Sequence, residues 1–234
     1  MAPTLLLMFS LLWGGFSVGE DIGEGCPVHP CDSWEVLVER GDAVAPNLEP
    51  PRKAKALYAK ALELVRDKKA GASAESLVLD RLGQAQAALG EEREAELSFL
   101  RSLRLRLGRE GEEEATAETL DRLASLYYQM GQPEQGLSVH REALHLRRQR
   151  FGHESVEVAQ SMALVASAHE IQRDYEQAEK LFRQAIDILR RKAVTKADRE
   201  RLGVALINLG TLLKKTGRQA EGEAKIEEGL RLTE

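Results

Sequence analysis

Cysteine is almost missing from this chain: two in 234 residues, Cys26 and Cys31. That excludes a small fold stapled by many disulfides. Proline is scarce too, at seven, and five of these (Pro27, Pro30, Pro46, Pro50 and Pro51) crowd a short N-terminal stretch. The rest is nearly free of residues that stop a helix. Aromatics make up 5% and no central stretch reads as a strand run. Positive charge is not in excess, with 33 basic against 38 acidic side chains and a net charge of −5. A basic nucleic-acid footprint is therefore not expected. No apolar run reaches the ~20 residues that span a bilayer comfortably. Motifs for chemistry are missing as well: there is no glycine-rich phosphate loop, no HExxH and no nucleophile elbow. His140, His145, His153 and His169 are scattered, and Glu112-Glu113-Glu114 reads as favourable charge at a helix start. We expect no enzyme, no cofactor, no metal and no small-molecule substrate.

What is present is helix-former vocabulary, chiefly Ala, Leu, Glu, Arg and Gln. Residues 117–192 carry one pattern written twice. Leu120, Leu123, Ala124, Tyr127, Gly131, Gly136, His140 and Ala143 recur 42 residues later as Met162, Val165, Ala166, His169, Arg173, Ala178, Phe182 and Ala185. The same frame extends outward, because Phe99, His140, Phe182 and Ile226 follow one another at 41, 42 and 44 residues. Self-similarity of this length means a solenoid of stacked units. The expected fold is all-α, a right-handed superhelical solenoid of about five antiparallel helix pairs.

Small residues recur where paired helices cross: Gly83, Ala124, Ala166 and Gly210 on first helices, and Ala95, Gly136, Ala178 and Gly222 on second helices. Leucine there would force the helices apart, an overpacking cost of ~1–3 kcal/mol. Gly90, Gly131 and Gly217 suit the left-handed turn that ends a helix. One unit has Arg173-Asp174-Tyr175 instead, and its turn should be less ideal. At the front, Ser33 is placed to cap a short helix with Trp34, Leu37 and Val38 on one face, interrupted by Gly41-Asp42 and the prolines. A second helix starts at Pro51. Together they form a degenerate cap.

These residues resemble the tetratricopeptide repeat: Leu-x-x-Leu-Ala-x-x-Tyr, a turn glycine, then a small residue, an aromatic or His, and Ala. The usual period is ~34 residues, so helices about one turn longer are expected here. Residues 143–159 are similar to the joint between repeats of the kinesin light chain subfamily. The resemblance covers roughly 75–234. It implies a non-catalytic scaffold or adaptor that binds a protein or an extended peptide in a concave groove lined by first helices. By resemblance the inward positions are Asp80, Arg81 and Gln84, then Asp121, Arg122, Ser125, Tyr128 and Gln129. They continue with Gln160, Leu164, Ser167 and Glu170, and end with Asn208, Thr211, Lys214 and Lys215. The Asp-Arg pair recurs in adjacent units and would grip a peptide carboxylate or carbonyl, or else pair with itself between neighbouring helices. Only Asn208 matches the family's carboxylate clamp, which disfavours chaperone-tail binding. A structural subunit of a larger assembly is the alternative function.

The first 32 residues carry different signals. Residues 5–18 form an apolar run of signal-peptide length, and Ser17-Val18-Gly19 offers small residues before Glu20. We expect a cleaved signal over 1–19 and a secretory or extracellular protein. An uncleaved membrane anchor, or a cytoplasmic protein, are the alternatives. A Cys-containing segment follows over 20–51, then the repeat domain over 52–234. In an oxidising compartment Cys26 and Cys31 would close a small disulfide loop. Free thiols come next. A redox or metal site with His29 is the weaker alternative, since no fourth ligand stands at fitting spacing.

Overall fold

The structure is a computed structural model describing residues 33–44 and 51–233. The residues 1–32, with the apolar run, Cys26, His29 and Cys31, lie outside that range. Ten helices are described: α1 Trp34–Val44, α2 Pro51–Asp67, α3 Ala72–Ala88, α4 Glu92–Arg106, α5 Glu113–Gln129, α6 Pro133–Phe151, α7 Val156–Ile171, α8 Tyr175–Lys192, α9 Lys196–Lys215 and α10 Gln219–Thr233. Each odd helix pairs with the next, giving five units, and each unit packs on the following one through its second helix. The architecture is an α-solenoid, with no strand among the described residues.

Crossing positions are as small as the repeat pattern requires. Ala95, Ala124, Ala166 and Ala178 are fully buried. A methyl on Gly83 would sit 2.8 Å from the Phe99 ring, and one on Gly136 2.6 Å from the Tyr128 ring. The fifth unit goes further. Added carbons at Gly210 and Gly222 would each fall 2.5 Å from the other residue's carbonyl oxygen. A second such pair, Gly203 with Gly229, crosses two turns away. There α9 and α10 touch backbone to backbone. Gly41 corrects the expectation for the first unit: it does not interrupt α1 but lies within it, beneath the Tyr58 ring. Asp42 stays in the same helix and accepts from the Tyr58 hydroxyl at 2.7 Å.

The turns follow one geometry. Gly90, Gly131 and Gly217 have φ of 75°, 72° and 88°. The amides of Gly131 and Gln132 return to the carbonyls of Tyr128 and Tyr127, closing α5. Arg173 and Asp174 make the same two bonds to Glu170 and His169. Arg173 therefore takes φ 63°, a conformation that costs a side-chain-bearing residue roughly 1–2 kcal/mol. Asp174 offsets part of this by accepting from the Gln177 amide at the start of α8.

Two stability outcomes follow. Arg173→Gly should raise stability by about 0.5–1 kcal/mol, measured by urea unfolding, because glycine adopts positive φ freely. Gly210→Ala should cost ~1–3 kcal/mol, and more than Gly83→Ala, since a phenyl ring can tilt away while a backbone carbonyl cannot. Equal costs at the two sites would contradict the backbone contact.

Candidate functional site

The row of inward positions separates into two sets once the helices are packed. Asp80 and Asp121 leave the row altogether. Each is buried, and each meets an arginine from the second helix of its own unit, 26 residues on. Arg106 Nη1 donates to Asp80 Oδ2 at 2.5 Å, and to Ser102 Oγ and Thr119 Oγ1 at 2.8 and 2.6 Å. One joint further on, Arg147 Nη1 donates to Asp121 Oδ2 and Ser161 Oγ, both at 2.5 Å. Thr119 and Ser161 belong to the following unit, so each triad ties two units together. The recurring Asp-Arg pair is thus corrected in part: its aspartates are spoken for inside the joints, not offered to a ligand.

The outer ends of both arginines are also satisfied. Arg106 Nε reaches Glu112 at 3.2 Å, while Glu112 accepts from Ser73 at 2.6 Å. The Ser73 hydroxyl, with help from Arg106, holds the Glu112 carboxyl below its ordinary range. Arg147 Nε straddles the Glu114 carboxylate at 3.0 and 3.2 Å. Burial opposes the charge of Arg147, but Asp121 and Glu114 outweigh it and hold its pKa above the usual value. Burial raises Glu114, against the pull of the same arginine. The three glutamates at the start of α5 therefore do more than sit at a helix N-terminus. Glu113 completes the set by accepting from Arg150.

The other two joints carry apolar side chains at the same three places. Val38, Val65 and Val78 fill the first joint, and Ala163, Leu189 and Ala205 the fourth. His140 and His169 belong to this interior framework. His140 is buried with Nδ1 2.9 Å from Asp121. His169 lies 3.0 Å from Asp174 and 3.2 Å from Arg141 Nη2. A guanidinium only donates, so His169 Nε2 is the accepting nitrogen and Nδ1 carries the proton. Tyr128 is turned inward as well. Its ring stacks on His140 at 5.8 Å, and its hydroxyl is buried without a hydrogen-bond partner. Burial pushes that phenol well above its normal range.

What remains on the row, apart from the buried Ser167, is at least partly exposed and differently committed. Arg81 leans on Asp42 of α1 at 3.0 Å, Arg122 stands 4.0 Å from Asp80 of α3, and Lys215 pairs with Glu170 of α7. Each cation thus reaches the preceding first helix. Gln84, Ser125, Ser167 and Thr211 occupy one position of four successive units. Each donates to the carbonyl four residues back, on Asp80, Asp121, Ala163 and Ile207, at 3.2, 2.9, 3.1 and 2.9 Å. The hydroxyl protons of Ser125, Ser167 and Thr211 are used within their own helices, so these offer oxygen lone pairs, while the Gln84 amide keeps a second N–H beside its oxygen. Gln129, Gln160, Leu164, Asn208 and Lys214 make no side-chain bond to the described residues. No cluster of three metal-ligating side chains occurs among the described residues.

The triads make a sharp prediction. Asp80→Ala leaves the buried Nη1 of Arg106 with hydroxyl partners only, Ser102 and Thr119, and should cost ~3–5 kcal/mol. Copying the first joint into the second, with Asp80→Val, Arg106→Val and Thr119→Val together, should be neutral or stabilising by ~1–4 kcal/mol. Chemical denaturation of the three single variants and the triple variant decides this. A triple variant less stable than Asp80→Ala would refute it.

Comparison with known proteins agrees with this geometry. The tetratricopeptide repeat family profile matches residues 115–191. No curated protein matches the chain. Among solved structures, BtubC (BKLC) from P. vanneervenii superposes with a TM-score of 0.70 at 22% identity, covering 85% of this chain and 78% of that one. A Podosopora anserina protein with nearly identical TPR-like repeats of the kinesin light chain kind gives 0.68 at 14% identity, covering 85% and 93%. A Rap protein in complex with competence and sporulation factor gives 0.70 at 16% identity, covering 85% of this chain and 53% of its own. These likenesses concern the fold, and with the profile match they carry one conclusion: residues 115–191 are tetratricopeptide repeats, set in an array that shares the fold of TPR-like solenoids.

Proposed function

We propose that this protein is a non-catalytic scaffold that binds an extended segment of a partner protein along the row of first helices. The observation that carries the reading is the acceptor column Gln84, Ser125, Ser167 and Thr211. Four oxygens recur at one position, each beside a donor bonded to its own helix, with Ser167 buried deeper than the other three. Adjacent packed helices lie ~8–10 Å apart, and a chain extended in the polyproline II form repeats every three residues, or ~9 Å. Every third residue of a bound segment therefore comes within reach of an acceptor and presents a backbone N–H to it. Arg122, Gln129, Asn208 and Lys214 flank the column and can meet carbonyls or acidic side chains. The bound peptide factor of the Rap complex supports the reading only by analogy of fold. A cleaved signal over 1–19 remains part of the proposal and requires a mature N-terminus near Glu20, readable by mass spectrometry of the purified protein.

The test uses a partner obtained by affinity capture from the protein's own cells and then purified. Gln84→Ala, Ser125→Ala and Thr211→Ala together remove three acceptors at ~1 kcal/mol each, so affinity should fall about a hundredfold. Circular dichroism should be unchanged. Full affinity in the triple variant would sink the column as the binding element. Arg81→Glu with Arg122→Glu should also weaken capture, because it reverses charge at the edge of the same row.

A further inference from the structure

The outer face of the second unit differs from every other outer face in the array. On α4, Arg93, Leu97, Leu100, Arg101 and Arg104 are all exposed. They are spaced by four, three, one and three residues, which places them on one stripe of the helix. Opposite this stripe, Ala95, Ser98, Phe99, Ser102 and Arg106 are buried. Leu97 is 55% exposed and Leu100 44%. At the position of Leu97 the other units have Ala56, Ser138, Lys180 and Ala224; at that of Leu100 they have Ala59, Arg141, Arg183 and Glu227. No other unit presents a large apolar side chain at either place.

Charge on this stripe is equally uncompensated. Elsewhere on second helices most exposed arginines are engaged, Arg150 with Glu113, Arg183 with Glu179 and Glu221, Arg190 with Glu228 and Arg191 with Glu154, while Arg52 stands singly and Arg141 meets His169. Arg93, Arg101 and Arg104 form no ion pair with the described residues. The basic run that ends α4 is therefore split by the helix. Arg106 turns in to hold the joint, and Arg101 and Arg104 turn out beside two exposed leucines.

We infer that this stripe is a second interaction surface, which takes an acidic amphipathic helix of a partner protein. Two leucines one turn apart fit the apolar seam of a facing helix. Three guanidinium groups along about 16 Å of α4 match carboxylates on the edges of that seam. A membrane fits less well. Two leucines give little area to insert, and Glu94 on α4 and Glu142 on α6, both exposed, would face an anionic bilayer while a single helix can lie between them. The surface is separate from the first-helix row and stands independently of the groove reading.

The experiment uses the full chain and a fluorescent 18-residue helical peptide with leucines along one face and glutamates beside them. Fluorescence anisotropy should show saturable binding that weakens as salt rises. A peptide with lysines in place of the glutamates should bind at least tenfold more weakly. Leu97→Ser with Leu100→Ser, and separately Arg101→Glu with Arg104→Glu, should each reduce acidic-peptide affinity at least tenfold without loss of helicity. The groove variant carrying Gln84→Ala, Ser125→Ala and Thr211→Ala should bind this peptide normally. Equal binding of both peptides, or unchanged affinity in both stripe variants, overturns the inference. So does binding to phosphatidylserine vesicles without binding to the acidic peptide.

Discussion

The array depends on a carboxylate, a guanidinium and a hydroxyl buried together at each of its two central joints. Asp80, Arg106 and Thr119 form one set, and Asp121, Arg147 and Ser161 the other. Burying an ion pair costs much of what its attraction returns, so these triads are not the natural way to gain stability. The chain shows the alternative within itself, since valines fill the first joint and alanines with a leucine the fourth. An apolar joint tolerates sliding, because one methyl contact replaces another. A guanidinium held between a carboxylate and a hydroxyl does not slide without leaving a buried charge unmet. The triads therefore fix the register of units two, three and four, at a place where stability alone could have come from aliphatic side chains.

That register matters for the row of first helices. Gln84, Ser125 and Ser167 sit one turn beyond Asp80, Asp121 and Ala163, and their side chains donate to those residues' carbonyls. The residue that anchors the joint and the residue that faces outward are thus neighbours on one helix. Fixing the first sets the spacing of the second. Withdrawing two carboxylates into the interior also reduces the negative charge on the row, where Arg81 keeps Asp42 and Arg122 keeps Glu118 as partners. Packing and recognition are coupled here through a single helical turn.

Much of the fold was legible because it obeys a period. Spacings of 41 to 44 residues give the helix pairs, the small crossing residues and the turn glycines, and these depend on local rules. Even the irregular turn at Arg173 could be read, since it breaks a pattern at a position that needs positive φ. The fate of Asp80 and Asp121 could not be read this way. Each stands next to an arginine in the chain, and adjacent opposite charges look like a surface pair. Their true partners lie 26 residues away on the second helix, inside what reads as the basic, solvated end of a helix. One signal was available: Arg106 and Arg147 share the 41-residue frame, whereas Arg101 and Arg104 align with Glu142 and His145. At these second-helix positions the charge that keeps the repeat's period is the packing residue, and the ones that break it lie on the surface. Gly41 was misplaced for a related reason. Glycine is read as a breaker, but the Tyr58 ring fills the space a side chain would have taken.

The same distinction separates the two surfaces. The inner column is periodic in position and chemistry, so it suits a ligand that is itself periodic, such as an extended backbone. The α4 stripe appears once, in the second unit, and suits a single short element with its own side-chain pattern. Its leucines and arginines are exposed on a helix whose opposite face holds the Arg106 triad, so α4 is anchored from behind. A rigid helix loses little entropy when a partner docks on it. Placing apolar side chains in water on such a helix carries a solubility cost, and nothing in the packing of the second unit requires them there. Exposed leucines beside unpaired arginines, on a helix held from behind by a buried ion pair, are what a second docking face needs.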